Sequence, residues 1–425
     1  MKGYDFFSSP RQKELDAALE KFPEMPPLFI FKTDICRRGV TFTKEAIEKV
    51  QDPYYEHTPH LLFQWHHKDH TEDFGVPISL IFSDGGTTGL SLSPSEYDPY
   101  TIGLLDDKFW VFSDEKPLVE VDFQKRPDYY DKRTSSGELM QNIMEASGDN
   151  WCIIPYKYCN YWKEDLQCRF CDISYNCRHQ LKMGRLMKTR ISPEDLYEAT
   201  VEALKEKGRW RHTFFTGGSQ PENKFSDEVD YYCDLFDSIM QAGKEAGHDR
   251  LPNYIIAAPL NEEDYIQMKE HGLEAYGPYL EIWDHEKFKL QCPGKEKYVG
   301  WQEWIDKTKN AIKVFGRGNV CCNFVQGVET APPPYGFEEL DDAVNSALEG
   351  IEFMCRNDIV PIAINWSIMP GSDFYKLGAI PAPLEFFVRV DLGRGKIIRE
   401  YDLPTGVMCY RHQPFSRYVD YQRFV

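Results

Sequence analysis

From about residue 150 to residue 372 the hydrophobic pattern of the chain switches repeatedly between two forms. Short continuous apolar runs alternate with stretches in which apolar positions recur every three to four residues. The first form predicts buried strands and the second amphipathic helices. The predicted strands are Trp151–Tyr156, His212–Thr216, Tyr254–Ala258, Tyr279–Trp283, Val320–Val325 and Ile359–Ile368. The predicted helices are Pro193–Lys207, Asp227–Ala246, Glu262–His271, Trp301–Phe315 and Phe337–Arg356. Ser192 is a good N-cap with Pro193 at the first helical position, and Gly272 and Gly316 stop their helices. The connection after Trp151–Tyr156 reads as loop.

Strand–helix alternation implies parallel strands joined by right-handed crossovers. Six such units predict an α/β fold, a partial (β/α)6 TIM-like barrel over residues 146–375. Functional groups of such barrels sit at the C-terminal ends of the strands. Residues 1–145 read as a separate α+β domain. It has a helix at Lys13–Phe22, a hairpin of Thr101–Leu105 and Phe109–Phe112 about an Asp106-Asp107-Lys108 turn, and further strands at Leu61–Gln64, Ile78–Phe82 and Val119–Phe123. A linker is expected around Asp131–Gly137. Residues 376–425 read as a β-rich tail, with strands Phe386–Asp391 and Lys396–Tyr401 joined by Gly393-Arg394-Gly395.

The formal charge of −19 disfavours a nucleic-acid partner, which needs a basic surface. No apolar run approaches the ~20 residues of a membrane helix, and Met1–Leu15 is too polar for a secretory signal. Twelve scattered cysteines in such a chain do not form a disulfide framework, so a reducing, cytoplasmic location is expected. His66-His67-Lys68-Asp69-His70 is either a solvated turn or a metal-binding stretch.

Three cysteines stand apart. Cys159, Cys168 and Cys171 follow the first predicted barrel strand with the spacing C-x8-C-x2-C. Three thiolates in one loop suit three corners of a cubane iron–sulfur cluster and leave one iron open. The alternative is a closed zinc site with Cys177 or His179 as fourth ligand, in a zinc-stapled barrel hydrolase or binding protein.

The chain resembles the radical S-adenosylmethionine (SAM) superfamily. The usual loop there is C-x3-C-x2-C after the first strand, with an aromatic residue before the last cysteine. This chain keeps C-x2-C with Phe170 in the aromatic place, and departs from it by eight residues between Cys159 and Cys168. Gly217-Gly218-Ser219 follows the second strand, as the family's Gly-Gly-Glu segment does, with Ser219 in place of the glutamate. The resemblance implies that this segment meets the amino group of SAM; by itself it is also an ordinary turn. Glu281 lies where the family often holds the ribose hydroxyls, or it is a solvated strand-end charge. Val325, Gly327 and Glu329 resemble the end of a fifth-strand motif at the adenine pocket, with Glu329 orienting the loop. Met369-Pro370-Gly371-Ser372 sits where the sixth strand ends.

The resemblance implies a [4Fe-4S] cluster and SAM as cofactors, and an electron donor such as flavodoxin or ferredoxin. It implies reductive cleavage of SAM to a 5′-deoxyadenosyl radical that abstracts hydrogen from a small-molecule substrate. Strand-end residues that could face a substrate are Trp283, Asp284, His285, Asn323, Gln326, Asn365 and Trp366. Cys321-Cys322 places one thiol inside the barrel, as packed core or as a late hydrogen donor.

Overall fold

Among the described residues two large hydrophobic cores, one for each half, organise the fold, and the last described helix joins them. A computed structural model describes residues 10–57, 75–83, 86–93 and 97–403. The expected strand Leu61–Gln64 and the histidine-rich stretch 66–70 lie outside the described residues.

The N-terminal half comprises helices α1 (Pro10–Lys21) and α2 (Pro27–Arg38), strand β1 (Val40–Phe42), helix α3 (Lys44–Val50), and strands β2 (Ser79–Phe82), β3 (Thr87–Gly89), β4 (Tyr100–Leu105), β5 (Lys108–Ser113) and β6 (Lys116–Asp122). The strands form one sheet in the order β1-β4-β5-β6-β2-β3. The β4/β5 hairpin closes on Asp106 and Asp107 with φ of 50° and 61°, the double left-handed turn that matches strand twist. Helix α2 escaped the sequence reading because it is buried from Phe29 to Arg38 and has no polar face to set a period. Asp34 takes Arg37 at 2.5 Å and Arg38 at 3.1 Å, and both arginines also pair with Glu14 of α1.

The second half opens with β7 (Met144–Ser147), which pairs antiparallel with β8 (Asn150–Ile153). There follow α4 (Ile173–Lys182), α5 (Pro193–Ala203), β9 (His212–Phe215), α6 (Ser226–Glu245), β10 (Asn253–Ala257), α7 (Glu262–Glu270) and β11 (Leu273–Pro278). Helices α8 (His285–Gln291), α9 (Pro293–Tyr298) and α10 (Trp301–Phe315) lead to β12 (Cys321–Gln326), α11 (Leu340–Arg356), β13 (Val360–Asn365), α12 (Asp373–Lys376) and α13 (Leu384–Glu400). Strands β8 to β11 pair in parallel, as do β12 and β13. Parallel bridges Tyr276–Val320 and Glu281–Phe324 tie the two groups together. The result is the expected partial barrel, curled over six parallel strands with β7 at its edge.

Three expectations need correction. The tail over Phe386–Tyr401 is not a pair of strands but the single helix α13. Its aromatic and β-branched run suits either structure locally; packing decides for helix. Phe386, Phe387, Val390 and Ile398 enter the barrel core, while Leu384 and Val388 enter the N-terminal core. Gly393, expected in a turn, lies inside the helix, where a Cβ would meet Leu348 of α11 at 2.5 Å. Second, the fourth barrel strand is Leu273–Pro278, not Tyr279–Trp283. The latter run is a buried turn in which Glu281 has φ 78°. Third, the loop after β8 contains α4, and α8 and α9 are additional short helices before α10.

Candidate active site

The cysteine loop starts where β8 ends and is folded by short local bonds. Cys159 N–H donates to Ser174 Oγ in α4 at 3.0 Å. Cys171 N–H donates to Cys168 O at 3.0 Å, closing the C-x2-C turn. The long Cys159–Cys168 interval has a definite structure: Asn160–Glu164 is one 3₁₀ turn, ended by Asp165 at φ 56°. This turn docks on the α8–α9 junction. Gly294 N–H donates to Leu166 O at 2.9 Å and Arg169 N–H to Gln291 O at 2.8 Å. A Cβ on Gly294 would meet Leu166 O at 2.6 Å and Tyr161 at 2.7 Å. The extra residues of the loop and the extra helices after β11 are thus two halves of one contact.

The end of β9 lies directly against this loop. Gly218 N–H donates to Tyr156 O at 2.8 Å and Asn160 N–H to Ser219 O at 2.9 Å. A Cβ at Gly218 would stand 2.4 Å from Tyr158 O and 2.7 Å from Cys159 Cα; one at Gly217 would stand 2.7 Å from Tyr156 O. Both glycines are therefore required for close backbone approach, independent of any ligand.

A cavity of about 270 Å³ opens between these elements. Cys159, Cys168, Cys171 and Phe170 line it, together with Gly217, Gly218 and Ser219. Glu281, Lys295 and Val325 also line it. Of the expected substrate-facing residues, Asn323, Asn365 and Trp366 are in the wall; Trp283, Asp284, His285 and Gln326 are not among its lining residues. Ile78 also lines the cavity, so the N-terminal half contributes to its closure. Gly327 and Glu329 stand outside the cavity. Glu329 Oε2 accepts from Gly327 N–H at 2.8 Å, and Gly327, at φ 107°, packs against Phe387 of α13.

Burial shapes the electrostatics of the site. Burial pushes the Cys159 thiol up to about 12 and the Cys171 thiol well above its usual range. A hydrogen bond with Cys292 holds Cys168 below the ordinary thiol value in spite of burial. Burial raises Asp172 to about 7. Lys295 was not anticipated. Its Nζ donates to Glu281 Oε1 at 2.5 Å and to Tyr279 O at 2.7 Å, and it lies 4.6 Å from the Trp304 ring centre. Burial alone would depress Lys295; the Glu281 carboxylate and the neighbouring thiols outweigh it and hold the ammonium above its ordinary value. Nothing in the sequence around Pro293-Gly294-Lys295 signals this role, because the partner is supplied by another element.

Three thiols lining one cavity match the ligand set of a four-iron cluster. Among the described residues no three His, Cys, Asp or Glu side chains gather around one metal position. A cubane offers a separate iron to each cysteine, so its ligands need not meet at one point. Buried thiols that resist ionisation become thiolates when a cation is beside them. The wall also holds polar atoms with no partner among the described residues: Asn323 Oδ1, both amide atoms of Asn365, and Trp366 Nε1. Each such orphan costs ~1–3 kcal/mol, a cost that a polar ligand in the cavity would relieve.

The chain has the six-stranded open barrel, with a three-cysteine loop after its first strand, that the resemblance to the radical SAM superfamily implies. It is 25% identical over 256 residues to bacteriochlorophyllide c C-7(1)-hydroxylase of Chlorobaculum limnaeum. That match covers 58% of this chain and 59% of the relative's own length. No protein-family model matches the chain. Weak structural likenesses extend to methylornithine synthase (18% identity, 58% of this chain, 63% of that one, TM-score 0.39). The hydrogenase maturase HydG is similar at 16% identity over 59% of this chain and 49% of that one, with a TM-score of 0.42. Among the described residues no helix is long and apolar enough to cross a membrane.

Proposed function

We propose that Cys159, Cys168 and Cys171 hold a [4Fe-4S] cluster, that SAM binds beside it, and that a small-molecule substrate loses a hydrogen atom in the same cavity. The observation that carries this reading is the convergence of the three thiols, Gly217-Gly218-Ser219 and Glu281 on one cavity. When bound and reduced by one electron, cluster and SAM supply a 5′-deoxyadenosyl radical.

The chain's own residues supply the rest. Phe214, Ile256, Ala257 and Ile364 give the cavity apolar walls that exclude water. Glu281 presents a carboxylate able to accept two hydroxyl donors, and Lys295 fixes its orientation. Asn323, Asn365 and Trp366 offer both donors and acceptors to a polar group of the ligand. The electron comes from a low-potential donor of the flavodoxin or ferredoxin class.

The test is to purify the chain without oxygen and measure its visible spectrum, iron and sulfide, then add dithionite and SAM and assay 5′-deoxyadenosine. The expected result is a brown protein with about four iron atoms per chain that releases 5′-deoxyadenosine. A colourless chain loaded with zinc would overturn the reading.

A further inference from the structure

Behind the cavity wall, three oxidisable side chains from three segments meet. Tyr279, which lines the cavity, follows β11; Tyr254 lies on β10 and Cys321 on β12. Tyr254 Oη is 2.5 Å from Tyr279 Oη and 3.4 Å from Cys321 Sγ. Tyr254 thus bridges Tyr279 and Cys321. All three are buried, at 2%, 4% and 1% exposure for Tyr254, Tyr279 and Cys321. Room for them is made by Gly277, where a Cβ would lie 2.9 Å from Cys321 Sγ and 3.3 Å from Tyr254 Oη. The neighbouring Cys322 points elsewhere, with its sulfur 3.7 Å from Pro278 O.

A structural role would need one buried hydrogen bond per hydroxyl, and a Phe–Phe–Val trio would fill such a space without polar groups. What this trio adds is a contiguous line of weak O–H and S–H bonds that ends on Tyr279, a residue of the cavity wall. Burial also keeps the hydrogens in place: Cys321 is pushed up to about 12, and both tyrosines stand well above their usual value. At neutral pH the groups are therefore hydrogen-atom donors and not anions.

We propose that Tyr279, backed by Tyr254 and Cys321, delivers a hydrogen atom to a carbon radical formed in the cavity. This rests on the proposed function. In the first step the Tyr279 O–H bond breaks and a C–H bond forms on the radical, leaving a phenoxyl at Tyr279. A hydrogen atom then passes from Tyr254 to Tyr279, and one from Cys321 to Tyr254. The thiyl left at Cys321 takes one electron from the same low-potential donor class and a proton from water. Phenol O–H and thiol S–H bonds are weaker than most aliphatic C–H bonds, so the first step runs downhill. A reaction ended in this way does not return hydrogen from 5′-deoxyadenosine, and SAM is consumed.

The test needs no identified substrate. The cluster-loaded full chain, equilibrated in D2O, is incubated with SAM and dithionite alone. The 5′-deoxyadenosine is quantified and its deuterium content read by mass spectrometry. The expected result is monodeuterated 5′-deoxyadenosine from the wild type, background deuterium from Tyr279→Phe, and an unchanged deuterium fraction from Cys322→Ala. Cys321→Ala leaves the wall intact; it should limit deuterated product to what the tyrosine pair can deliver, and a tyrosyl signal should accumulate in its electron paramagnetic resonance spectrum. Product without deuterium from the wild type, or full deuterium from Tyr279→Phe, overturns the inference and leaves the proposed function standing. Absence of 5′-deoxyadenosine from an iron-replete sample overturns both.

Discussion

Lys295 Nζ stands 2.5 Å from Glu281 Oε1, with the two side chains 10% and 14% exposed. The pair joins α9 to the turn after β11, at the point where the backbone is strained. Glu281 has φ 78°, a region a non-glycine residue occupies at a cost of ~1–3 kcal/mol. Backbone bonds to Asn323 O (3.0 Å) and from Val325 N–H (2.9 Å) hold it there. Lys295→Met strips a buried carboxylate of its partner and should cost ~3–5 kcal/mol of stability. The double variant with Glu281→Gln should regain most of that loss without regaining SAM affinity. Denaturant unfolding of the cofactor-free chain and calorimetry of the loaded chain measure the two effects separately.

Gly218→Ala should abolish iron loading. The added methyl would meet backbone at Tyr158 and Cys159, 2.4 and 2.7 Å away, and no side-chain rotation relieves such a clash. Iron and sulfide analysis after reconstitution provides the measurement. Retention of full iron would show that the cysteine loop shifts more freely than its hydrogen bonds suggest.

The cysteines should divide sharply. Cys168→Ala should lose cluster and SAM cleavage, whereas Cys233→Ala, buried on α6 away from the cavity, should keep both. Cys292→Ala is the informative third variant. Cys292 touches Cys168 but is not in the cavity wall, so iron content should remain at the wild-type level. Loss of iron in this variant would make Cys292 a ligand.

Glu228 gives a pH prediction. Burial raises its carboxyl from 4.5 to about 8, against hydrogen bonds from Gln220 N–H and Tyr232. The folded chain therefore holds a proton that the unfolded chain releases. Its stabilising contribution is full below about 4.5 and is lost as pH rises through about 8. Glu228→Gln stays neutral throughout, so its melting temperature relative to wild type should climb steadily over that interval. A flat difference across the same range would contradict the assigned burial. Comparing the two proteins at each pH cancels the titration of Asp172 and Lys157, which burial also shifts.

Much of the barrel was legible because its signals are local. The α10 helix occupies the predicted span Trp301–Phe315, since its apolar positions recur at helical spacing between Gly300 and Gly316. The Ser192–Pro193 start signal appears as a cap, with Ser192 Oγ accepting from Asp195 N–H at 3.1 Å. The cysteine spacing and the Gly217-Gly218 segment could likewise be read without coordinates. The fourth strand was misplaced because Leu273–Pro278 and Tyr279–Trp283 are both short apolar runs, and periodicity cannot rank them.

What the sequence determined by itself was the order of strands and helices, the position of three thiols at a strand end, and the acidic balance of the chain. Each follows from residues close together along the backbone, where period, capping and spacing act. Tertiary structure alone decided that Phe386–Tyr401 becomes a helix, because two cores compete for its apolar faces. It also decided that Lys295 meets Glu281, that the long cysteine loop rests on Gly294, and that Cys321 rather than Cys322 joins Tyr254 and Tyr279. Those relations connect segments through space, and a linear pattern carries no term for the burial and packing that select them.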